Sequence, residues 1–236
     1  MSLGFYASSQ AAGAPPSTPP SLWQSRTNGG VSSNVTSTAI TLPTDGFTRP
    51  PSGALMITYT VWTRANPTDP TMEMSGWTPM WSDYDYNGSI SVKMAIFYKI
   101  SSGSEATTVN LTTTLAGQMS WICEAWTGHD GAIAPGGTAG LQTGGTGSYS
   151  SNSVSAPANS VVTTFLAGRG PSNGNVAQVW GGGATDAGIP DSGRVVYAEL
   201  GTQTVTSAAT VQHTVSVTNS QGGPTTGLAS LVIEPA

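Results

Sequence analysis

Charge is what this chain has least of. Only 8% of its 236 residues are Asp, Glu, Lys or Arg, where about a quarter is usual in soluble domains. The seven Lys and Arg residues are spread singly and the formal net charge is -5. No basic stripe exists to neutralise phosphates, so direct nucleic-acid binding is not expected. Cysteine is equally scarce. The one thiol, Cys123, excludes an internal disulfide and an all-cysteine metal cage, and its apolar run "SWICEAW" predicts a buried, inert side chain. Two histidines, His129 and His213, are too few and too far apart for a histidine metal cluster. Neither a G-x-S-x-G elbow, a G-x-x-x-x-G-K-S/T phosphate loop nor an H-E-x-x-H motif occurs.

Long apolar runs are missing too. None approaches the ~20 residues of a membrane helix, and the N-terminus "MSLGFYASSQAAGAPPSTPP" lacks the basic and continuously apolar regions of a signal peptide. The chain is therefore expected to be made in a cytoplasm and to stay soluble, away from membranes. The N-x-S/T triplets at Asn34, Asn87 and Asn110 then read as unglycosylated chance matches in a Ser/Thr-rich chain.

What is present is a core's worth of apolar material. Hydrophobic residues make up 37%, with seven Trp and seven Tyr, enough to exclude wholesale disorder. The length suits one large β-domain or two small ones. From residue 36 onward apolar residues recur with period two, between breaks of Gly, Pro, Asn or Asp. The segments 54–62, 89–100, 106–115, 118–127, 160–168, 194–200, 210–218 and 228–235 read as strands. In "SISVKMAIFYKI" Val92, Met94, Ile96, Tyr98 and Ile100 share one face, expected buried; Ser91, Lys93, Ala95, Phe97 and Lys99 share the other, expected at least partly wet. No window of helical length repeats at three and four. The expectation is an all-β protein: an antiparallel β-sandwich, jelly-roll-like.

Residues 1–30 carry Pro15, Pro16, Pro19 and Pro20, which favour extended chain. With Phe5, Tyr6, Leu22 and Trp23 they read as an N-terminal arm lying along its own domain or a neighbouring subunit, and residues 31–236 as the sandwich. The glycine-rich segments 131–152 and 170–193 are expected to be long loops.

Four places in the sequence could carry chemistry. "SDYDYNGSI" places Asp83, Asp85, Asn87 and Gly88 like the start of a calcium loop, but Met94 stands where the bidentate Glu should be. Asn87-Gly88 ahead of a period-two strand predicts a hairpin turn instead. His129 beside Asp130 is read as a solvated turn rather than a base with an orienting carboxylate. Glu105, Glu124 and Asp130 show no spacing that pairs them as acid and base. Trp62, Trp77, Trp81, Trp121, Trp126 and Trp180, with Tyr84 and Tyr86, could stack on sugar rings. The plainer expectation puts Trp121 and Trp126 on a core strand and Trp77 and Trp81 over an end of the sandwich. No catalytic residue, cofactor site or metal site is predicted.

"SGWTPMW", "SVKMAIFYKISSGSEATTVNLT", "SWICEAWTGHDGAIAP" and "SVVTTFLAGRGPS" together resemble a family of β-sandwich proteins of bacteriophage virions, often labelled minor tail or hypothetical virion proteins. The shared landmarks are Gly76, Trp77, Phe97, Tyr98, Lys99, Gly103, Ser104, Glu105, Trp126, Gly128 and Asp130, over about residues 55 to 175. At the domain start "DGFTRPPSGALMITYTVW" departs from the family pattern. The resemblance implies a non-enzymatic virion surface block on capsid, tail or fibre, made in the bacterial host. Its expected partners are other virion proteins and copies of itself, with a homotrimer the leading arrangement. A carbohydrate-binding module contacting host glycans is the rival expectation.

Overall fold

The computed structural model describes residues 18–24, 26–44, 48–65, 67–86, 88–143, 147–169, 176–186, 196–219 and 225–236. Every regular element among them is a strand. In chain order these are β1 (Ser21–Leu22), β2 (Thr27–Thr41), β3 (Leu55–Arg64), β4 (Met72–Met74), β5 (Thr78–Tyr86), β6 (Ser91–Ile100), β7 (Thr108–Thr127), β8 (His129–Thr143), β9 (Gly147–Ser150), β10 (Val154–Ala156), β11 (Ser160–Arg169), β12 (Val176–Gly181), β13 (Thr185–Asp186), β14 (Val196–Val205), β15 (Ala209–Val211), β16 (Thr214–Asn219) and β17 (Thr225–Pro235).

Two main sheets carry the fold. The first runs β1-β7-β3-β6-β5, with β2 and β4 also paired to β7; the second runs β13-β14-β11-β17-β8. Two small sheets, β12-β16-β9 and β10-β15, complete the set. All of these ladders are antiparallel.

Period two decides which residues meet. The odd residues Leu55 to Val61 of β3 and the even residues Val92 to Ile96 of β6 face Val161, Phe165 and Ala167 of β11 and Leu200 of β14 across the sandwich. Tyr59 and Phe165 stand with ring centroids 5.3 Å apart. The opposite faces are covered as well. Beyond the first sheet, Ile40, Met72, Met74 and Leu111 pack on Met56, Trp62, Phe97, Trp121 and Cys123. Beyond the second, Tyr149, Val215 and Val217 cover Leu166 and Tyr197, while Val154, Ala156 and Val211 cover Val162 and Val232. The all-β sandwich is thus flanked by extra β-layers on both sides. The expectation that one face of 89–100 would be wet holds for half-buried Lys93 and Lys99; Ala95 and Phe97 on that face are buried.

The outer cover of the first sheet comes from a bend in β7. Residues 117–123 pair with 27–35 of β2, residues 108–112 pair with 37–41, and the register shifts twice between them. Segments 106–115 and 118–127, expected as two strands, are one strand with this irregularity in its middle. A bend of this kind frees backbone carbonyls, which need new donors. Trp62 Nε1 donates to Leu115 O at 3.0 Å and an Arg64 Nη donates to Ala116 O at 3.0 Å.

The structure corrects the expectations for segments 131–152, 170–193 and 210–218, and it describes the N-terminal stretch only from residue 18. β2 runs through the proposed boundary at residue 30, and Ser21–Leu22 already pairs with Thr127 and Trp126. Leu22 and Trp23 pack on this chain's own clusters; Phe5, Tyr6, Pro15 and Pro16 lie outside the described residues. At Gly29 a side chain would stand 2.6 Å from the Trp121 ring, so glycine is required there although propensity argues against a strand. The glycine-rich segment from 131 is strand β8, at the edge of the second sheet, where three register shifts and an edge position accommodate Pro135. Segment 170–193 likewise contains β12 and β13. Conversely, 210–218 is broken between β15 and β16 at Gln212 and His213.

Candidate functional site

A concavity lies on the outer face of the first sheet, lined from β4, β5, β6 and β7. A groove of about 540 Å³ is lined by Met72, Glu73, Met74, Ser75, Trp77, Pro79, Phe97, Asn110 and Thr112. A smaller recess of about 170 Å³ adjoins it, sharing Met72, Pro79 and Phe97 and adding Asp69, Trp81, Ser82 and Lys93. The floor is apolar because β4 alternates: Met72 and Met74 turn into the core and Glu73 turns out. Trp77 is only 8% exposed, so little of its ring is open to the groove. Lys93 bridges to Asp69 at 2.9 Å on the rim. The rim groups Glu73, Asn110 and Thr112 were not singled out from the sequence as site residues; β4 is three residues long and gave no periodic signal.

The tryptophans otherwise divide as the plainer expectation had it. Trp62, Trp121 and Trp126 are buried in the core strands; Trp81 and Trp180 are half-buried and Tyr86 is exposed. They do not share one face. Trp77 and Trp81 line the outer groove of the sheet instead of an end of the sandwich.

Glu105, Glu124 and Asp130 are not brought together. Glu124 is fully buried between the main sheets. It accepts hydrogen bonds from Tyr59 Oη at 2.7 Å and from Arg26 Nε at 2.8 Å, and Tyr59 Oη also meets Thr163 Oγ1 of the second sheet at 2.8 Å. Burial, then the neighbouring Glu124 charge, raises the Tyr59 hydroxyl well above its ordinary value. The Arg26 guanidinium also lies over the Trp126 ring, 5.8 Å from its centroid. Glu105 is in the turn after β6, held by Lys99 at 2.6 Å and by the Ser102 amide and hydroxyl at 2.9 Å. Burial alone would raise its carboxyl, but Lys99 and Ser102 prevail and hold it below the ordinary glutamate value. Asp130 opens β8 near Glu234, whose carboxyl is raised by burial and by the Asp130 charge.

The histidines are spent on structure. His213 is 1% exposed. Its Nδ1 is 2.7 Å from Thr164 Oγ1, its Nε2 is 3.0 Å from Gln203 Oε1, and Thr164 Oγ1 continues to Ser230 Oγ at 2.6 Å. The ring therefore fastens the segment between β15 and β16 onto the outer face of the second sheet. Burial lowers its pKa to about 4. His129 accepts the Gly131 amide at Nδ1 and reaches Gly53 O through Nε2, both at 2.9 Å. It ties the start of β8 to the turn at Gly53, and both of its ring nitrogens are engaged with backbone groups.

Asp83 and Asp85 both lie within β5, opposite Met94 and Val92 of β6. The chain reverses between Tyr86 and Ser91, with Gly88 at φ 89°. Asn87 lies outside the described residues. Among the described residues no group of three His, Cys, Asp or Glu side chains stands close enough to hold a metal ion. Cys123 is buried, accepts a bond from Thr58 Oγ1 at 3.3 Å, and its thiol is pushed up to about 12 by burial. At such a pKa the nucleophilic thiolate is scarce at neutral pH.

Comparison with protein-family models, with curated proteins and with solved structures finds no match to this chain.

Proposed function

We propose that the chain is a non-enzymatic structural protein of a bacteriophage particle, displayed on the capsid surface or the tail. The observation that carries this reading is the fate of its most reactive side chains. Glu124 and His213 are sealed between β-layers and saturated by hydrogen bonds that bolt one layer to the next. A protein that uses its buried carboxylate and imidazole as cross-layer struts is built for rigidity. The resemblance of residues 55 to 175 to virion β-sandwich proteins and the weakly charged surface point the same way. In this reading the segment bearing Phe5 and Tyr6 laces the block to capsid or tail subunits and to two further copies of itself. Quantitative mass spectrometry of purified virions of the encoding phage tests it. Hundreds of copies per particle mark a capsid or tail-lattice block, a handful mark a fibre or tail tip, and absence from the particle overturns the reading.

One observation favours a second role, binding of host glycan. The groove between β4 and β6 sets an apolar floor of Trp77, Pro79 and Phe97 against the hydrogen-bonding groups of Glu73, Asn110 and Thr112, the mixture that sugar rings require. A glycan array with the Trp81→Ala variant as control reads this directly. Absence of binding to every neutral glycan would remove the second role and leave the first untouched.

A further inference from the structure

The described cations of this chain are nearly all accounted for. Arg26 pairs with Glu124, Lys93 with Asp69 and Lys99 with Glu105, and Arg49 donates to the Glu105 carbonyl. Arg64 and Arg169 differ: among the described residues neither has a carboxylate partner, and both open onto the same cleft. The cleft has a volume of about 220 Å³ and is lined by Asn34, Arg64, Ala65, Gln118 and Arg169, with no acidic side chain among the described residues. In a protein of net charge -5 two guanidinium groups around one cavity are not background.

The fold builds this cleft from both main sheets. Arg64 ends β3 and is oriented by its bond to Ala116 O at the β7 bend. Gln118 follows the bend, and its Nε2 donates to Ser32 O at 2.6 Å, which leaves its carbonyl oxygen as an acceptor. Asn34 belongs to the irregular stretch of β2 between Val31 and Val35. Arg169 ends β11 and arrives from the second sheet. It is half-buried, and burial lowers its pKa; among the described residues no carboxylate compensates for the lost water.

We propose that the cleft between Asn34, Arg64, Gln118 and Arg169 binds a single oxyanion group, a carboxylate or a phosphate, carried on a ligand no larger than a monosaccharide. Guanidinium forks match the paired oxygens of both groups. The amides of Asn34 and Gln118 suit hydroxyls beside the charge. The cavity is smaller than the ~300 Å³ at which drug-sized pockets begin, which sets the size limit. This inference is independent of the role on the particle.

The test titrates the full chain at low ionic strength with inorganic phosphate, with glucuronate and with neutral glucose, read by the Arg Nε–Hε resonances of ¹⁵N-labelled protein. Saturable shifts of the Arg64 and Arg169 signals with phosphate or glucuronate, but not glucose, are expected. Preference for glucuronate identifies a sugar acid as the source of the anion, and preference for phosphate a phosphorylated ligand. Arg169→Gln, which breaks no described hydrogen bond, should weaken binding by at least ~10-fold while circular dichroism stays unchanged. Unmoved arginine signals in the wild-type protein, or undiminished binding by folded Arg169→Gln, would overturn the proposal.

Discussion

The indole of Trp62 occupies the space that a side chain at residue 117 would need. A methyl group at Gly117 would overlap the ring atoms around Trp62 Nε1, whose bond to Leu115 O secures the bend of β7. Gly117→Ala should therefore destabilise the fold by about 1–3 kcal/mol, as overpacking does in a tight core. Urea denaturation would show this as a lower midpoint with an unchanged slope. Gly117 is not at positive φ, so the loss measures the clash alone.

Arg26 reaches Glu124 from β2's approach, and Tyr59 reaches it from β3. Removing Arg26 leaves a carboxylate buried without its counter-charge, and a loss of about 3–5 kcal/mol is expected for Arg26→Met. The double variant Arg26→Met, Glu124→Met should recover a large part of that loss. A thermodynamic cycle over the two sites measures the coupling, and additive losses would show that the pair is not a unit.

His213 predicts an acid sensitivity. Its folded pKa of about 4 lies below the ~6.5 of an unfolded histidine, so the unfolded chain takes up the proton first on acidification. Its contribution to stability is therefore fully present above pH ~6.5 and is lost as pH falls toward 4. Glu105, held below its ordinary value by Lys99 and Ser102, adds a second loss further into acid, below pH ~4. Thermal midpoints across this range should fall in two steps. His213→Gln should flatten the first step, and Lys99→Met the second.

Asp83 and Asp85 sit in a paired strand and Gly88 in the reversal after it. Millimolar calcium should then leave the thermal midpoint unchanged. Gly88→Ala should cost about 1 kcal/mol from its positive φ alone. A calcium-induced rise in midpoint that disappears in Asp83→Asn would contradict the turn assignment.

Much of the fold could be read from residue pattern, and the reasons for the failures are physical. β3, β6, β11, β14 and β17 declare themselves by β-branched and aromatic residues at period two. β2, β8 and β12 do not. Their glycines and prolines argue for loops, and they become strands because a neighbour supplies a ladder or an aromatic ring that only glycine can admit. The bend in β7 was invisible because "TTTLAGQ" reads as a break between two strands; two donors from β3 hold the chain through it. The groove was half legible. Trp77 and Trp81 attracted notice as aromatics, whereas Glu73 and Asn110 reach the rim through pairings that no local pattern announces.

β7 binds β1, β2, β3 and β4, and none of these ladders is local. Leu55 meets Trp126 about seventy residues further along the chain, and Thr27 meets Cys123 from further still. Until β7 has been synthesised, β3 can pair on that side with nothing, and its apolar residues stay available to other chains. Closing such wide loops before any contact rewards them makes folding slow, on the order of milliseconds to seconds. The strand that unites the finished molecule is thus the step at which newly made chains compete between folding and aggregation.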